Sequence, residues 1–221
     1  MTDRELREYI EREAPVTEPG AKALLVRLGL SVPASFFAPA GTSLPRDLGL
    51  AYPLVAKVCS RAIASKTDAG GIRLGIRDRG GLERAFSELM SIKGAEGVLV
   101  EETAPPAGME AIVGGVLDPQ FGPVVMFGAG GLFVELYRDV AFALAPLDEA
   151  QALWLMRQVK GYRLIEGFRG RGPLDRDALA RAVVAVSRIM ETGKVQEANL
   201  NPVALYEKGA LVLDAKLKPA Q

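Results

Sequence analysis

Residues 118–147 read DPQFGPVVMFGAGGLFVELYRDVAFALAPL. Two apolar, β-rich runs, 124–127 and 132–136, flank Gly128, Gly130 and Gly131, and Glu135 and Asp139 follow. Glycine lets a backbone approach another group closely or adopt positive φ. Acidic residues just past such a turn are well placed near a phosphate-bound metal. With Lys57 and the segment Ser65-Lys-Thr-Asp-Ala-Gly-Gly71 upstream, the pattern points to a nucleotide site.

Working outward, the chain is expected to form helices and strands without strict βα alternation, which favours α+β lobes over a doubly wound parallel sheet. Helices are expected at 3–13, at 21–30 with Gly29 as terminator, at 82–90, from Asp148 to about Lys160, and from about Asp175 to Met190. Strands are expected at 54–58, 72–76, 97–101, 110–117, 124–127, 132–136, 196–201 and 211–216, the last two joined by a turn at 207–209. Trp154 is expected in the core, and Cys59 as a small core residue.

Composition narrows the chemistry. Over 221 residues, 27 Lys and Arg balance 27 Asp and Glu, so charge gives no argument for nucleic acid or an anionic membrane. One cysteine excludes an internal disulfide and a cysteine metal cluster. Histidine is absent, which removes Ser-His-Asp catalysis and histidine-ligated zinc. A metal would have to sit on oxygen ligands, which favours magnesium. The charged N-terminus does not read as a signal peptide and no apolar run reaches membrane-span length, so a cytoplasmic protein is expected.

The candidate residues follow from pattern. Lys57 lies inside an apolar strand, where an ammonium is costly to bury without an anion beside it; the alternative is an edge-strand lysine facing water. The 65–71 loop offers Lys66, two hydroxyls, Gly70 and Gly71, a set able to wrap phosphates through N–H groups, although the P-loop pattern is absent. Glu101 and Glu110, at a strand end and a strand start, could accept a ribose hydroxyl or a base amino group, or simply face solvent. Glu197, Asn199 and Asn201 alternate onto one strand face. Asp214 is expected across a hairpin from Asn201, and oxygen ligands on paired strands suit Mg²⁺ shared with nucleotide phosphates. Phe168-Arg-Gly-Arg171 reads as an anion-binding loop or an exposed turn.

Taken in order, YPLVAKV, SKTDAGGIRL, GVLVEE, the 118–147 run, LIEGFRGRGPLD and EANLNPVALYEKGALVLDAKL resemble the ATP-grasp β subunit of ADP-forming acyl-CoA synthetases, a module shared with fused acetate–CoA ligases and with relatives of succinyl-CoA synthetase. The resemblance implies an α+β ATP-grasp fold, one module over 1–221, with a nucleotide cleft between a lobe of about 14–97 and a lobe of about 98–217. It implies ATP or ADP held by Lys57 and Lys66 on phosphates and by the 70–71 glycines. It places the 98–101 strand, including Val100, against the base, with Glu101 and Glu110 on base or ribose. It implies Mg²⁺ on Asn201 and Asp214, a role for Arg169, and a CoA-binding α-type partner bringing the carboxylic acid or acyl-CoA. Neither nucleic acid nor membrane is implied. Three positions depart from the family pattern: Ser65 stands where the family has a phosphate-relaying histidine, Ala143 where it has arginine, and Asn199 where it has an acid. Two further readings therefore stand beside the ligase subunit. One is a degenerate nucleotide- or partner-binding chain; the other is a ligase that forms an acyl phosphate directly.

Overall fold

Two antiparallel sheets hold every strand among the described residues of the computed structural model, which are 1–13, 17–63, 65–130 and 138–220. They divide between two compact units, Pro33–Pro105 and Met1–Val32 with Pro106–Gln221. The expected break between residues 97 and 98 would cut strand β4, Gly97–Glu102, away from its sheet. That strand pairs with β1 (Ser35–Pro39) on one side and β2 (Leu54–Cys59) on the other, so it belongs wholly to the smaller unit. Residues 17–32 leave the expected first lobe as well, because Leu24, Leu25 and Leu30 pack into the core of the larger unit.

In the smaller unit the strand order is β1-β4-β2-β3, with β3 spanning Ile72–Ile76. Helix α3, Arg79–Met90, starts at Asp78, whose carboxylate accepts from the Gly81 N–H and satisfies one orphan helix donor. Its Leu82, Ala85 and Leu89 pack on Leu54, Ala56, Val58, Val98 and Val100. Strand alternation then sends Val55, Lys57, Leu99 and Glu101 to the opposite face.

In the larger unit, β5 (Met109–Asp118), β6 (Gly122–Ala129), β7 (Val140–Leu144), β8 (Val195–Leu205) and β10 (Ala215–Pro219) run in the order β10-β8-β5-β6-β7, and β9 (Ala210–Val212) pairs with β8. One face is covered by α2 (Glu18–Arg27), α4 (Glu149–Met156) and α6 (Arg176–Glu191), whose apolar positions share one core with Val113, Val125, Phe127, Ala198 and Leu200. Each of the valine, leucine and phenylalanine side chains contributes roughly 1.5–3 kcal/mol on burial. Asp148 caps α4 in a reciprocal capping box with Gln151. That helix ends at Met156, short of the expected Lys160, and a single turn, α5 (Tyr162–Ile165), follows. Trp154 is 55% exposed, not core, because Ala152, Leu155 and Met156 take the inward positions of so short a helix.

The expected strand 211–216 is two strands. They separate at Leu213–Asp214, where Leu213 N–H donates to the Pro202 carbonyl and Asn201 N–H to the Asp214 carbonyl. The expected strand 132–136, together with Gly131 and Glu135, lies outside the described residues.

Candidate functional site

In the smaller unit, β2 and β4 pair with Val55 opposite Glu101 and Lys57 opposite Leu99. Lys57 and Glu101 are thus diagonal neighbours on one face. The Lys57 ammonium meets the Glu101 carboxylate at 2.6 Å, with the residues 8% and 2% exposed. The anion demanded by a lysine in an apolar strand is present in the chain itself. Glu101 lies inside the sheet and not in a solvated loop. An ammonium carries three donors, so a carboxylate partner and a phosphate ligand are compatible.

Val100 does not fit its expected place against a base. Its side chain is in the α3-covered core, and β1 and β2 flank its backbone on both sides.

The 65–71 loop closes on itself. Asp68 N–H donates to the Ser65 hydroxyl, Ala69 N–H to the Ser65 carbonyl, Gly70 N–H to Thr67 and Gly71 N–H to Lys66. The N–H groups of residues 68–71 are therefore engaged within the loop and do not point to a ligand. The half-buried Lys66 side chain is the loop's cation. Gly71 is required by packing: a Cβ there would lie 2.4 Å from Val58 Cγ1.

In the larger unit, cross-strand pairing fixes which candidates share a face. Asn199 lies opposite Gly114 and Lys216, Gly114 opposite Met126, and Met126 opposite Phe142. This row lies on the face away from α2, α4 and α6. Glu110 is on that face too, since Met109 and Ala111 on either side of it are core. Asn201 and Asp214 meet at the break between β9 and β10, joined by a 3.1 Å backbone hydrogen bond. The structure therefore gathers Glu110, Asn199, Asn201 and Asp214 on one open sheet face. The Asn199 Oδ1 atom is buried and accepts no hydrogen bond.

Ala143 is not on that face. It pairs with Val125, a core residue, and packs on the helix side. Of the three departures from the family pattern, Ala143 is therefore set on the opposite sheet face from Asn199, by residue parity on β7.

The glycine turn also has a local explanation. A Cβ on Gly130 would lie 2.6 Å from the Glu110 carbonyl, and Gly130 N–H donates to that oxygen at 2.7 Å. The close approach is to β5. Asp139, expected near a metal, accepts from the N–H groups of Lys160 and Gly161 at 2.9 and 2.7 Å and holds the start of α5. Arg169 is exposed in a left-handed turn at φ 51°, its guanidinium 5.4 Å from the Phe168 ring.

Two polar anchors were not among the expected site residues. Lys22 and Glu18 form a buried ion pair at 2.8 Å within α2, and the Lys22 ammonium also donates to the Leu213 carbonyl at 2.8 Å. It thus ties α2 to the residue preceding Asp214. The i, i+4 spacing of Glu18 and Lys22 was the available signal, masked by the apolar residues around them. Asp175 caps α6 through Ala178 N–H and also accepts from Gly209 N–H, in the turn between β8 and β9. These bonds, Ala178 first, hold its carboxyl below the usual range. A depressed folded pKa gives stability that is present above the unfolded value, about 3.9, and is lost as pH falls through the folded value. We expect Asp175→Asn to flatten this part of the acid limb of a pH–stability curve; an unchanged limb would remove Asp175 from it. The Tyr206 phenol is pushed up by burial and by the nearby Glu110 charge.

No group of three His, Cys, Asp or Glu among the described residues could hold a metal. The Asn201 amide and Asp214 carboxylate are hard oxygen donors. They fit Mg²⁺ that completes its octahedron with water and phosphate oxygens, not a protein cage.

The ATP-grasp domain family matches residues 10–218. The acetate–CoA ligase (ADP-forming) I subunit β of Pyrococcus furiosus is 36% identical, with 96% of each chain covered. The acetate–CoA ligase (ADP-forming) I of Archaeoglobus fulgidus is 41% identical over 78% of this chain, which spans 26% of that longer protein. Among solved structures, acetyl-coenzyme A synthetase 1 of Ca. Korarchaeum cryptofilum, in complex with coenzyme A and Ca-AMPCP, superposes with a TM-score of 0.84 at 35% identity, covering 99% of this chain and 100% of that one.

Proposed function

Because the chain belongs to the ATP-grasp family and, within it, to the β subunits of ADP-forming acetate–CoA ligases, we propose that it is the nucleotide-handling half of such a ligase. It binds Mg-ATP or Mg-ADP and exchanges a phosphoryl group with a CoA-binding α-type partner. The overall reaction is acyl-CoA + ADP + phosphate ⇌ carboxylic acid + CoA + ATP. The observation carrying this reading is the match to a β subunit over 96% of each chain, in a chain whose candidate oxygen ligands share one sheet face. Lys57 and Lys66 serve the phosphates, and Asn201 and Asp214 serve Mg²⁺, which would neutralise phosphate charge when bound. Glu110 serves the nucleotide's hydroxyl or amino groups, and Arg169 an anion at the exposed turn. The work is cytoplasmic, where ADP and CoA are supplied. No helix among the described residues is long and apolar enough to cross a membrane.

Ser65 favours a second reading. It occupies the relay position, and a serine phosphate ester is too stable for rapid reversible transfer, so this chain would bind nucleotide and partner with weak phosphoryl transfer of its own.

Calorimetric titration of Mg-ADP and Mg-ATP into the pure chain tests both. Saturable binding is expected, and Asp214→Ala should weaken it by about 1.5–3 kcal/mol, the scale of a charge-assisted contact. Absence of binding heat and of competition by either nucleotide would remove nucleotide handling from this chain.

A further inference from the structure

A cavity of about 560 Å³ opens in the larger unit at the end of β6 and beside α5. That volume is in the range of small-molecule sites. Its interior is mainly apolar, from Met109, Ala129, Leu164 and Phe168, while Arg138, Lys160 and Arg163 border it. Among the described residues none of these three cations is ion-paired. Asp139, the carboxylate lining the cavity, is held by two backbone N–H groups and does not pair with them. Among the described residues, three cations and one carboxylate line the cavity, a formal charge of +2.

Leu164 and Phe168 are 43% and 46% exposed, so both present apolar surface at the cavity. The wall is fixed by packing: a Cβ on Gly161 would lie 2.2 Å from the Ala129 Cβ. Arg138 is in the left-handed region at φ 49°, which costs a side-chain-bearing residue energy and marks a constrained position.

We infer that this cavity binds a small organic phosphate, its dianion at Arg138, Lys160 and Arg163 and its apolar group against Leu164 and Phe168. The dianion matches the +2 charge better than a carboxylate does, and arginine forks suit phosphate oxygens. An acyl phosphate or an aryl phosphomonoester has this chemistry; inorganic phosphate lacks the apolar part and a simple carboxylic acid lacks the second charge. The inference stands on the larger unit alone and does not depend on the nucleotide reading.

Phenyl phosphate, inorganic phosphate and benzoate are the probes, titrated into the full chain by calorimetry, with saturation-transfer NMR on the phenyl protons. Phenyl phosphate should bind at least tenfold more tightly than either of the others, and more weakly as salt rises. The exposed pair Lys160→Gln/Arg163→Gln should lower its affinity at least tenfold with Mg-ADP affinity and circular dichroism unchanged. Leu164→Ser should weaken phenyl phosphate and leave inorganic phosphate alone, and this single change is the control if the double variant misfolds. Equal affinity for phenyl and inorganic phosphate overturns the proposal. So does unchanged affinity in the folded double variant, and so does one-for-one displacement by Mg-ADP, which would make the cavity part of the nucleotide site.

Discussion

Lys57→Ala is expected to cost about 3–5 kcal/mol of folding stability, the penalty for leaving a buried charge without its partner. Glu101 is 2% exposed and its carboxylate sits 2.6 Å from the Lys57 ammonium. Removing the lysine leaves that carboxylate inside the sheet, flanked by β1 and β2. Replacing both partners with apolar residues, Lys57→Met with Glu101→Leu, should recover most of the loss, because the two charges of the pair leave the sheet together. The two variants separate the roles of the lysine. If Lys57 also serves a phosphate, the double variant folds but binds Mg-ADP more weakly by about 1.5–3 kcal/mol. Urea denaturation of the natural chain and both variants, followed by nucleotide titration, gives both numbers. A single variant within about 0.5 kcal/mol of the natural chain, the ordinary scale of a neutral surface change, would show that the pair is not energetically coupled.

The second large effect is a gain. Ser65→His is expected to raise phosphoryl transfer by at least ~10², on the scale seen when one preorganised group is restored to a reacting centre. The change is structurally mild: the Ser65 hydroxyl accepts only a 3.3 Å bond from Asp68 N–H, and the residue is half-buried. Adding Asn199→Asp should increase the gain, because Asn199 shares its open face with Asn201 and Asp214 and already holds an oxygen with no hydrogen-bond partner. Ala143→Arg should add nothing and should cost stability, since Ala143 packs on the helix side of the sheet. A quench-flow comparison of the single, double and triple variants reads this directly; a triple variant faster than the double would return Ala143 to the site.

How far the sequence could be read depended on whether a feature is local. The helix at 3–13 and the strand at 72–76 have the expected limits because amphipathic period and flanking turn residues fix them within a few residues. Lys57 was legible for the same reason: a charge in an apolar strand demands a partner. Its partner's identity was not, because register between β2 and β4 brings together residues over forty positions apart. The same limit hid the turn at Leu213–Asp214, where β8 meets two short strands, and the core-facing parity of Val100 and Ala143. The 65–71 loop is different. Its residue types suit a phosphate cradle, yet the N–H groups of residues 68–71 are engaged within the loop, and only backbone geometry reveals that.

Passing phosphate between nucleotide and a CoA-binding partner is the role proposed for this chain. Its most direct test follows the label from [γ-³²P]ATP with Mg²⁺, this chain and the partner purified from the same host. An acid-labile phosphate is expected on the partner only when both chains are present, formed slowly with the natural chain and at least ~10²-fold faster with Ser65→His. No labelled partner with either chain, or conversion of a carboxylic acid to acyl phosphate by this chain alone, would contradict it.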